Sequence, residues 1–243
     1  MRPVRRNVSP AGDYNPYASA RPDLISRIGK YCSYCERPML ANLAVEHIQP
    51  KGLPAYAALE YTWHNFLLGC INCNSTKKDK DVVLSAHLLP DRDNTAYAYD
   101  YTPDGKVAPS AQATALGLYN KAFRTLRLTG LHKRICKALD ENGKQVAVDR
   151  VSQRIEIWGQ AEEAKADLAN NDTDILRKYI AKLARESGFF SIWMTVFAND
   201  IDMRQRLIDS FPGTRESGCF DPVTTQPVTP SPNHDKLADG GKL

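Results

Sequence analysis

Two closely spaced pairs of cysteines constrain the fold of this chain more than any other feature. Cys32 and Cys35 form one C-x-x-C unit, Cys70 and Cys73 form the second, and 34 residues separate the two units. Each unit lets a short turn supply two thiolates, and four thiolates satisfy the tetrahedral preference of zinc. A redox-active pair is the competing interpretation, but such motifs occur singly, before a helix. The pattern therefore predicts a structural zinc ion, which four cysteines leave without an open position for a reacting water.

Composition and charge set only wide limits on function. The 243 residues are 42% hydrophobic and 25% charged, which is ordinary for a globular protein, and the net charge of +4 permits a polyanionic partner without requiring one. The sequence has no run of about 18 apolar residues, and its basic first residues lack the apolar stretch of a secretory signal. We therefore expect a cytoplasmic protein without membrane contact. The sequence leaves the roles of Cys136 and Cys219 open, and we expect His64 to lie at the surface or to contact phosphate.

The pattern along the chain predicts an α+β fold in four parts. Residues 1–21 are predicted to form a flexible basic arm, and residues 22–90 a zinc-bound module with a strand at AVEHI and a helix starting near CNSTKKDK. Residues 91–211 combine a hairpin, indicated by Asp104-Gly105, with a mostly α-helical domain of three to five helices. The proline-rich residues 212–243 are predicted to be largely disordered.

Four polar residues between and just after the cysteine pairs have the chemistry of a hydrolytic site. Glu46 and His47 are adjacent, Asn65 follows, and Asn74 comes directly after the last cysteine of the second pair. Phosphodiester hydrolysis needs a base that works near neutral pH and a hard cation that prefers carboxylate and amide oxygens. Taken singly, each residue has an ordinary interpretation, such as a strand histidine or a helix cap. Their order within the cysteine framework favours the catalytic interpretation.

This ordered set resembles an HNH endonuclease, which has the ββα-metal fold and here a four-cysteine zinc site. The matching letters, over about residues 25–85, are YCSYC…VEHIQPKG…WHNFLLGCINCNSTKK. The resemblance implies that His47 is the general base and that Glu46 and Asn74 bind a catalytic Mg²⁺ or Mn²⁺. It also implies that Asn65 orients the loop and His47 through backbone hydrogen bonds. The implied substrate is DNA more often than RNA, with 5′-phosphate and 3′-hydroxyl products.

The sequence departs from that family at two positions. Glu46 stands where the family more often has Asp, which lengthens the ligand arm by one methylene. Asn74 stands where the third motif residue is often His. Both substitutes keep an oxygen donor, so the implied cation site remains chemically complete.

Basic residues near the motif and further along the chain predict contacts with phosphates. Lys51, Lys77 and Lys78 flank the predicted site, although a solvated helix face explains them equally well. The segment 121–137 carries only positive charges, which favours contact with a polyanion or with an acidic partner protein. The residues of this run that we assign to nucleic acid are Arg124, Arg127, Lys133 and Arg134.

The wider layout is similar, more loosely, to the nuclease subunits of Septu and retron-associated anti-phage systems. The features that carry this resemblance are the N-terminal module, the hairpin YAYDYTPDGKV and the segment FPGTRESGCFD. That family implies an ATPase partner of the ABC/SMC type, and the chain itself has no G-x-x-x-x-G-K-[ST] phosphate loop. Two alternatives stay open. One is a non-catalytic zinc-stabilised module that binds nucleic acid or protein, and the other is a restriction-type nuclease that acts alone.

Overall fold

Helices and short two-stranded ribbons alternate along the chain. The computed structural model describes residues 1–133, 135–139 and 145–243, so the predicted contact Arg134 lies outside the described residues. The helices are α1 (Arg21–Ile28), α2 (Ile71–Lys77), α3 (Thr95–Ala98), α4 (Ala111–Ala115), α5 (Tyr119–Thr129), α6 (Arg150–Asn170), α7 (Asp174–Ser187), α8 (Phe190–Val196) and α9 (Ile201–Ser210). The strands are β1 (Ala44–His47), β2 (Phe66–Gly69), β3 (Tyr99–Tyr101), β4 (Val107–Pro109), β5 (Ile135–Leu139) and β6 (Gln145–Asp149).

The predicted zinc module is built on one antiparallel strand pair followed by one helix. β1 pairs with β2 in a register that runs from Ala44 opposite Gly69 to His47 opposite Phe66. β2 is buried at every position, which agrees with its continuous apolar sequence FLLG. α2 begins directly after Cys70. The predicted strand at AVEHI and the helix that carries Asn74 are therefore confirmed.

Two further antiparallel ribbons follow the module along the chain. β3 pairs with β4 around the Asp104-Gly105 turn, as predicted, and Gly105 has φ +73°, which residues with a side chain rarely adopt. β5 pairs with β6 inside a stretch that the helical pattern was expected to continue through, so that prediction was wrong. The overlooked sequence signal is the Asn142-Gly143 dipeptide, followed by valines at alternate positions.

The helical part is organised around α8. This helix is buried along nearly its whole length, as a helix that is apolar on every side must be, and α6, α7 and α9 pack against it. Between residues 110 and 210 the described residues form six helices, rather than three to five. None of the helices in the described ranges is both long enough and apolar enough to cross a membrane.

The N-terminal segment is buried, so the prediction of a flexible arm is wrong for residues 1–6. Val4 and Arg6 are each 2% exposed, and Arg2 is 4% exposed. Arg2 donates a hydrogen bond to the carbonyl of Pro212 at 2.6 Å, and Arg6 donates to the carbonyl of Phe66. Basic residues are typical of an exposed arm, but here their guanidinium groups satisfy carbonyls of distant buried segments.

Residues 212–243 pack onto the rest of the chain, which corrects the predicted disorder of this tail. Arg204 on α9 donates to the hydroxyl and the carbonyl of Thr225, at 2.8 and 2.7 Å. Asn94 donates to the carbonyls of Cys219 and Val228, both at 2.8 Å. Because these partners lie up to 134 positions away in the sequence, the composition of the tail alone could not predict its order.

The carboxylate of Asp91 joins the N-terminal segment to the module. Its Oδ2 lies 2.7 Å from Arg6 and 2.8 Å from Arg92, and its side chain is fully buried. Burial alone would raise the pKa of Asp91, but the charges of Arg92 and Arg6 hold this pKa below its ordinary value. Because the pKa is lower in the folded state, the carboxylate stabilises the protein above about pH 4. That contribution is lost as the pH falls further.

Replacing Asp91 with Asn tests this network. We expect the free energy of unfolding at pH 7 to fall by about 3–5 kcal/mol, because two buried guanidinium groups lose their counter-charge. Below about pH 4, where Asp91 itself becomes protonated, the variant and the unmodified protein should differ less in their free energy of unfolding. Urea denaturation across pH measures both effects. Asp209→Asn, which breaks an exposed pair with Arg215, is the control and should cost less than about 1 kcal/mol.

Candidate active site

The four cysteines of the two C-x-x-C units converge on one point. Their sulfur atoms all lie within 4.8 Å of one another, and none of them forms a disulfide. The Sγ atoms of Cys35 and Cys70 are 3.7 Å apart, close to the edge of about 3.8 Å of a zinc tetrahedron with bonds of about 2.3 Å. Burial raises the pKa of Cys32, so four thiolates at these distances need a bound cation. The donor set fits a structural zinc ion.

Two arginines stand next to this cluster and offset its negative charge. Arg37 donates to Sγ of Cys70 at 3.4 Å, and Arg150 donates to Sγ of Cys73 at 3.6 Å. Arg150 is the first residue of α6 and also donates to the carbonyl of Thr129 at the end of α5. The cysteine cluster is thereby tied to the helical part. Sequence reasoning missed both arginines because neither lies at a motif spacing.

A cleft of about 200 Å³ is lined by three of the predicted catalytic residues, Glu46, His47 and Asn74. Neighbours on a strand point to opposite faces, so Glu46 and His47 would be expected to diverge. Both reach the cleft because His47 is the last residue of β1, where the strand ends. Asn74 enters from α2, directly after the second cysteine pair.

The imidazole of His47 is held in one orientation. Its Nε2 donates a hydrogen bond to the carbonyl of Glu60 at 2.9 Å, which leaves Nδ1 with a lone pair. Nδ1 has no hydrogen-bond partner among the described residues. Burial lowers the pKa of His47, and the charge of Lys51 lowers it further. The ring of Tyr17 packs edge-on against the imidazole, with the centroids 4.7 Å apart. The histidine is therefore neutral near pH 7 and can accept a proton at Nδ1.

Asn65 braces the loop that follows His47. Its side-chain oxygen accepts a hydrogen bond from the backbone N–H of Gln49 at 2.8 Å, and its amide nitrogen donates to the Gln49 carbonyl at 2.9 Å. The N–H of Ile48 also donates to the Asn65 carbonyl. These are the backbone hydrogen bonds that the resemblance implied. Asn65 does not line the cleft itself, so its contacts reach the cleft only through this loop.

Glu46 is a buried carboxylate beside a buried ammonium group. Its Oε1 lies 2.9 Å from Nζ of Lys77, and both side chains are 2% exposed. At this distance the ammonium and the carboxylate form a buried ion pair that engages Oε1. Burial raises the pKa of Glu46, and the charge of Lys77 offsets only part of that rise. A side chain at Gly69 would meet Cβ of Glu46 at 3.0 Å, which explains glycine at that position.

The predicted phosphate-contacting lysines divide into two groups. Lys51 and Lys78 line the cleft with exposed or half-exposed side chains, and Nζ of Lys51 lies 2.5 Å from the Glu60 carboxylate. Lys77 is instead turned inward, where it donates to the His47 carbonyl at 2.7 Å and pairs with Glu46. Its predicted contact with phosphate is therefore corrected to an internal one. The sequence gave no sign of this pairing, because Glu46 and Lys77 are 31 positions apart and Lys77 is followed by a second lysine.

The remaining predicted contacts lie away from the cleft. Arg124 and Arg127 are exposed on α5, and Lys133 is exposed shortly after that helix. None of the three lines the cleft. His64, next to Asn65, is also exposed outside the cleft. Sequence reasoning further missed Tyr17 and the Glu60 carbonyl, both of which contact His47, because Tyr17 lies in the segment assigned to the arm.

The oxygens of Glu46 and Asn74 fit a hard divalent cation. The Glu46 carboxylate lines the same polar cleft as the Asn74 carboxamide, which has no side-chain hydrogen bond among the described residues. Mg²⁺ and Mn²⁺ take oxygen ligands and commonly bind through one or two protein groups, with water completing the shell. The Lys77 ammonium, which already contacts Oε1, opposes such binding.

Comparison with known proteins agrees with the geometry of this site. Residues 32–80 match the family model described as HNH endonuclease, a segment that spans the four cysteines and all of the cleft residues named here except Tyr17. No curated protein matches the chain. The fold class is thus α+β, with an HNH-type domain that carries a four-cysteine metal site and a mostly helical remainder. The segment that builds the cleft is similar to domains of nucleic-acid-cleaving enzymes.

Proposed function

We propose that this protein is a metal-dependent endonuclease that hydrolyses phosphodiester bonds in nucleic acid. The observation that carries the proposal is the convergence of Glu46, His47 and Asn74 on one cleft, with Nδ1 of His47 free to accept a proton. The family match over residues 32–80 supports the same reaction class. The four-cysteine site organises this cleft and takes no part in the chemistry, because it has no open position.

The residues of the cleft divide the work of hydrolysis between them. Nδ1 of His47 removes a proton from the attacking water, while the Glu60 carbonyl and the Asn65 clamp keep the ring in place. Glu46 and Asn74 would hold a divalent cation, which when bound would stabilise negative charge on the phosphate and on the leaving oxygen. Lys51 and Lys78, on the open side of the cleft, position the phosphate backbone.

DNA is the favoured substrate, and the same chemistry admits RNA. This preference rests on the HNH resemblance, since phosphate contacts from lysines carry no sequence or sugar information. Cleavage assays with matched DNA and RNA strands decide between the two polymers.

We further propose that the nuclease works in a bacterial anti-phage complex with an ATPase subunit of the ABC/SMC type. This step rests on the looser sequence resemblance. An exposed apolar row on α7 supports it, because Ile175, Tyr179 and Leu183 recur every four residues and are 66%, 64% and 45% exposed. Such a row on one helical face is typical of a docking surface for a protein partner.

Replacing His47 with Ala tests the proposed chemistry. We expect Mg²⁺- or Mn²⁺-dependent cleavage to fall by about 10²–10⁴-fold, because proton removal from water loses its base. Zinc content, measured by elemental analysis, and the melting temperature should remain close to those of the unmodified protein. His64→Ala is the matched control, since this exposed histidine lies outside the cleft, and it should cleave normally. Full activity of the His47 variant would contradict the proposal.

A second candidate function is a zinc-stabilised binding module without catalysis. The ion pair between Lys77 and Glu46 favours it, because a buried carboxylate that is already paired can serve structure alone. On this interpretation, the protein with its partner present should cleave neither DNA nor RNA in any divalent metal.

Replacing Lys77 with Met separates the two functions without an activity assay. We expect the free energy of unfolding to fall by about 3–5 kcal/mol, because Glu46 is left buried and unpaired. The double variant Glu46→Gln/Lys77→Met should recover most of that loss. If Glu46 is a cation ligand, Mn²⁺ should raise the denaturation midpoint of the single variant and leave that of the double variant unchanged. Equal responses to Mn²⁺ would favour the purely structural role.

A further inference from the structure

A row of aromatic rings runs along the outer face of α5. Tyr119 and Phe123 stack one helical turn apart, with ring centroids 5.8 Å apart and an interplanar angle of 15°. His132, just beyond the helix, continues the row at 6.1 Å from Phe123. Tyr119 is 44% exposed, so part of its ring is open to solvent. We call these three residues the aromatic row.

Positive charges without counter-charges flank the aromatic row. Arg124 and Arg127 are exposed on the same helix, which contains no acidic residue, and Lys133 follows it. Among the described residues, these three side chains form neither an ion pair nor a hydrogen bond. The cations of α7 differ, because Arg177 pairs with Asp172 and Asp200 at 2.7 and 2.9 Å. Within the part of the chain that the structure describes, a neutralising partner is therefore absent at α5 and present at α7.

The aromatic row belongs to the same rigid unit as the candidate cleft. α5 packs against α2, which carries Asn74. Gly130, directly after α5, approaches Thr76 on α2 so closely that a Cβ at position 130 would lie 2.9 Å from the Thr76 methyl carbon. Arg150 bonds both the end of α5 and a cysteine of the metal site. A ligand bound to α5 would therefore lie at a fixed position relative to the cleft.

We propose that this face of α5 binds single-stranded nucleic acid, with unpaired bases stacking on the aromatic row and phosphates contacting Arg124, Arg127 and Lys133. Base–aromatic stacking is open to every base, while a duplex hides its base faces between neighbouring pairs. Cations alone would hold single and double strands alike. The combination of rings and unpaired cations selects a single strand. This inference rests on the proposed nuclease function and names the form of its substrate.

Fluorescence anisotropy with a labelled oligothymidine and a duplex of equal length tests the proposal, in the His47→Ala background to prevent cleavage. Tyr119→Ala/Phe123→Ala should weaken single-strand binding about 5- to 100-fold and duplex binding less than about threefold. Arg124→Gln/Arg127→Gln should weaken the binding of both oligonucleotides. For the single strand, the slope of log K against log salt concentration should become shallower by about 0.7 for each phosphate contact that is lost. Ile201→Ala/Lys182→Gln, at exposed positions on α9 and α7, is the control and should change neither. If the half-buried Phe123 cannot be replaced without misfolding, Tyr119→Ala alone, at an exposed position, tests the same loss of single-strand binding.

The outcomes separate this inference from the nuclease proposal. Equal losses for single strand and duplex, or no loss for either, would overturn the single-strand role of α5. If an otherwise unmodified protein then still cleaves nucleic acid, the nuclease function stands without it. If the aromatic variants lose single-strand binding while the unmodified chain never cleaves, the binding face stands and the nuclease proposal fails. Preferential binding of an acidic protein over both oligonucleotides would also overturn the inference.

Discussion

The cluster of four thiolates is the constraint on which the rest of the module depends. It joins the turn after α1 to the turn between β2 and α2, and so brings together two segments that are far apart in sequence. Zinc bound there fixes the start of α2, and with it Asn74, relative to the strand that ends in His47. Arg37 and Arg150 extend this arrangement, since each donates to a cysteine sulfur. Loss of the cluster would therefore disperse the cleft and loosen the attachment of the helical part.

The cleft itself combines two groups whose charges are set by burial. His47 is neutral because desolvation lowers its pKa, whereas Glu46 is a carboxylate whose pKa is raised by burial and stabilised in part by Lys77. A neutral imidazole suits proton removal, and an incompletely neutralised carboxylate suits a further cation. Lys77 thus makes two contacts that support the cleft: its charge opposes the rise in the pKa of Glu46, and its ammonium group donates to the His47 carbonyl.

Local sequence predicted the metal-binding framework and failed where long-range contacts decide the structure. The C-x-x-C spacing, the strand at His47 and the helix at Asn74 follow from local chemistry, and the structure has all three. The buried segment at Arg2 and Arg6 and the ordered tail at Thr225 depend on partners far away in sequence, which composition cannot reveal. The burial of Lys77 could not be predicted either, because two adjacent lysines are typical of a protein surface and its partner Glu46 is distant in sequence. The β5–β6 ribbon was predictable from Asn142-Gly143, but the surrounding helical periodicity obscured it.

The most direct test of this account is the position of two metal ions in crystals of the full chain grown with Mn²⁺. Anomalous diffraction at the zinc and manganese edges distinguishes the two elements. The account predicts zinc about 2.3 Å from the four cysteine sulfurs and manganese in the cleft, bound by oxygens of Glu46 and Asn74 on the Nδ1 side of His47. A cleft without manganese at millimolar concentration, with Lys77 still on Glu46, would contradict it.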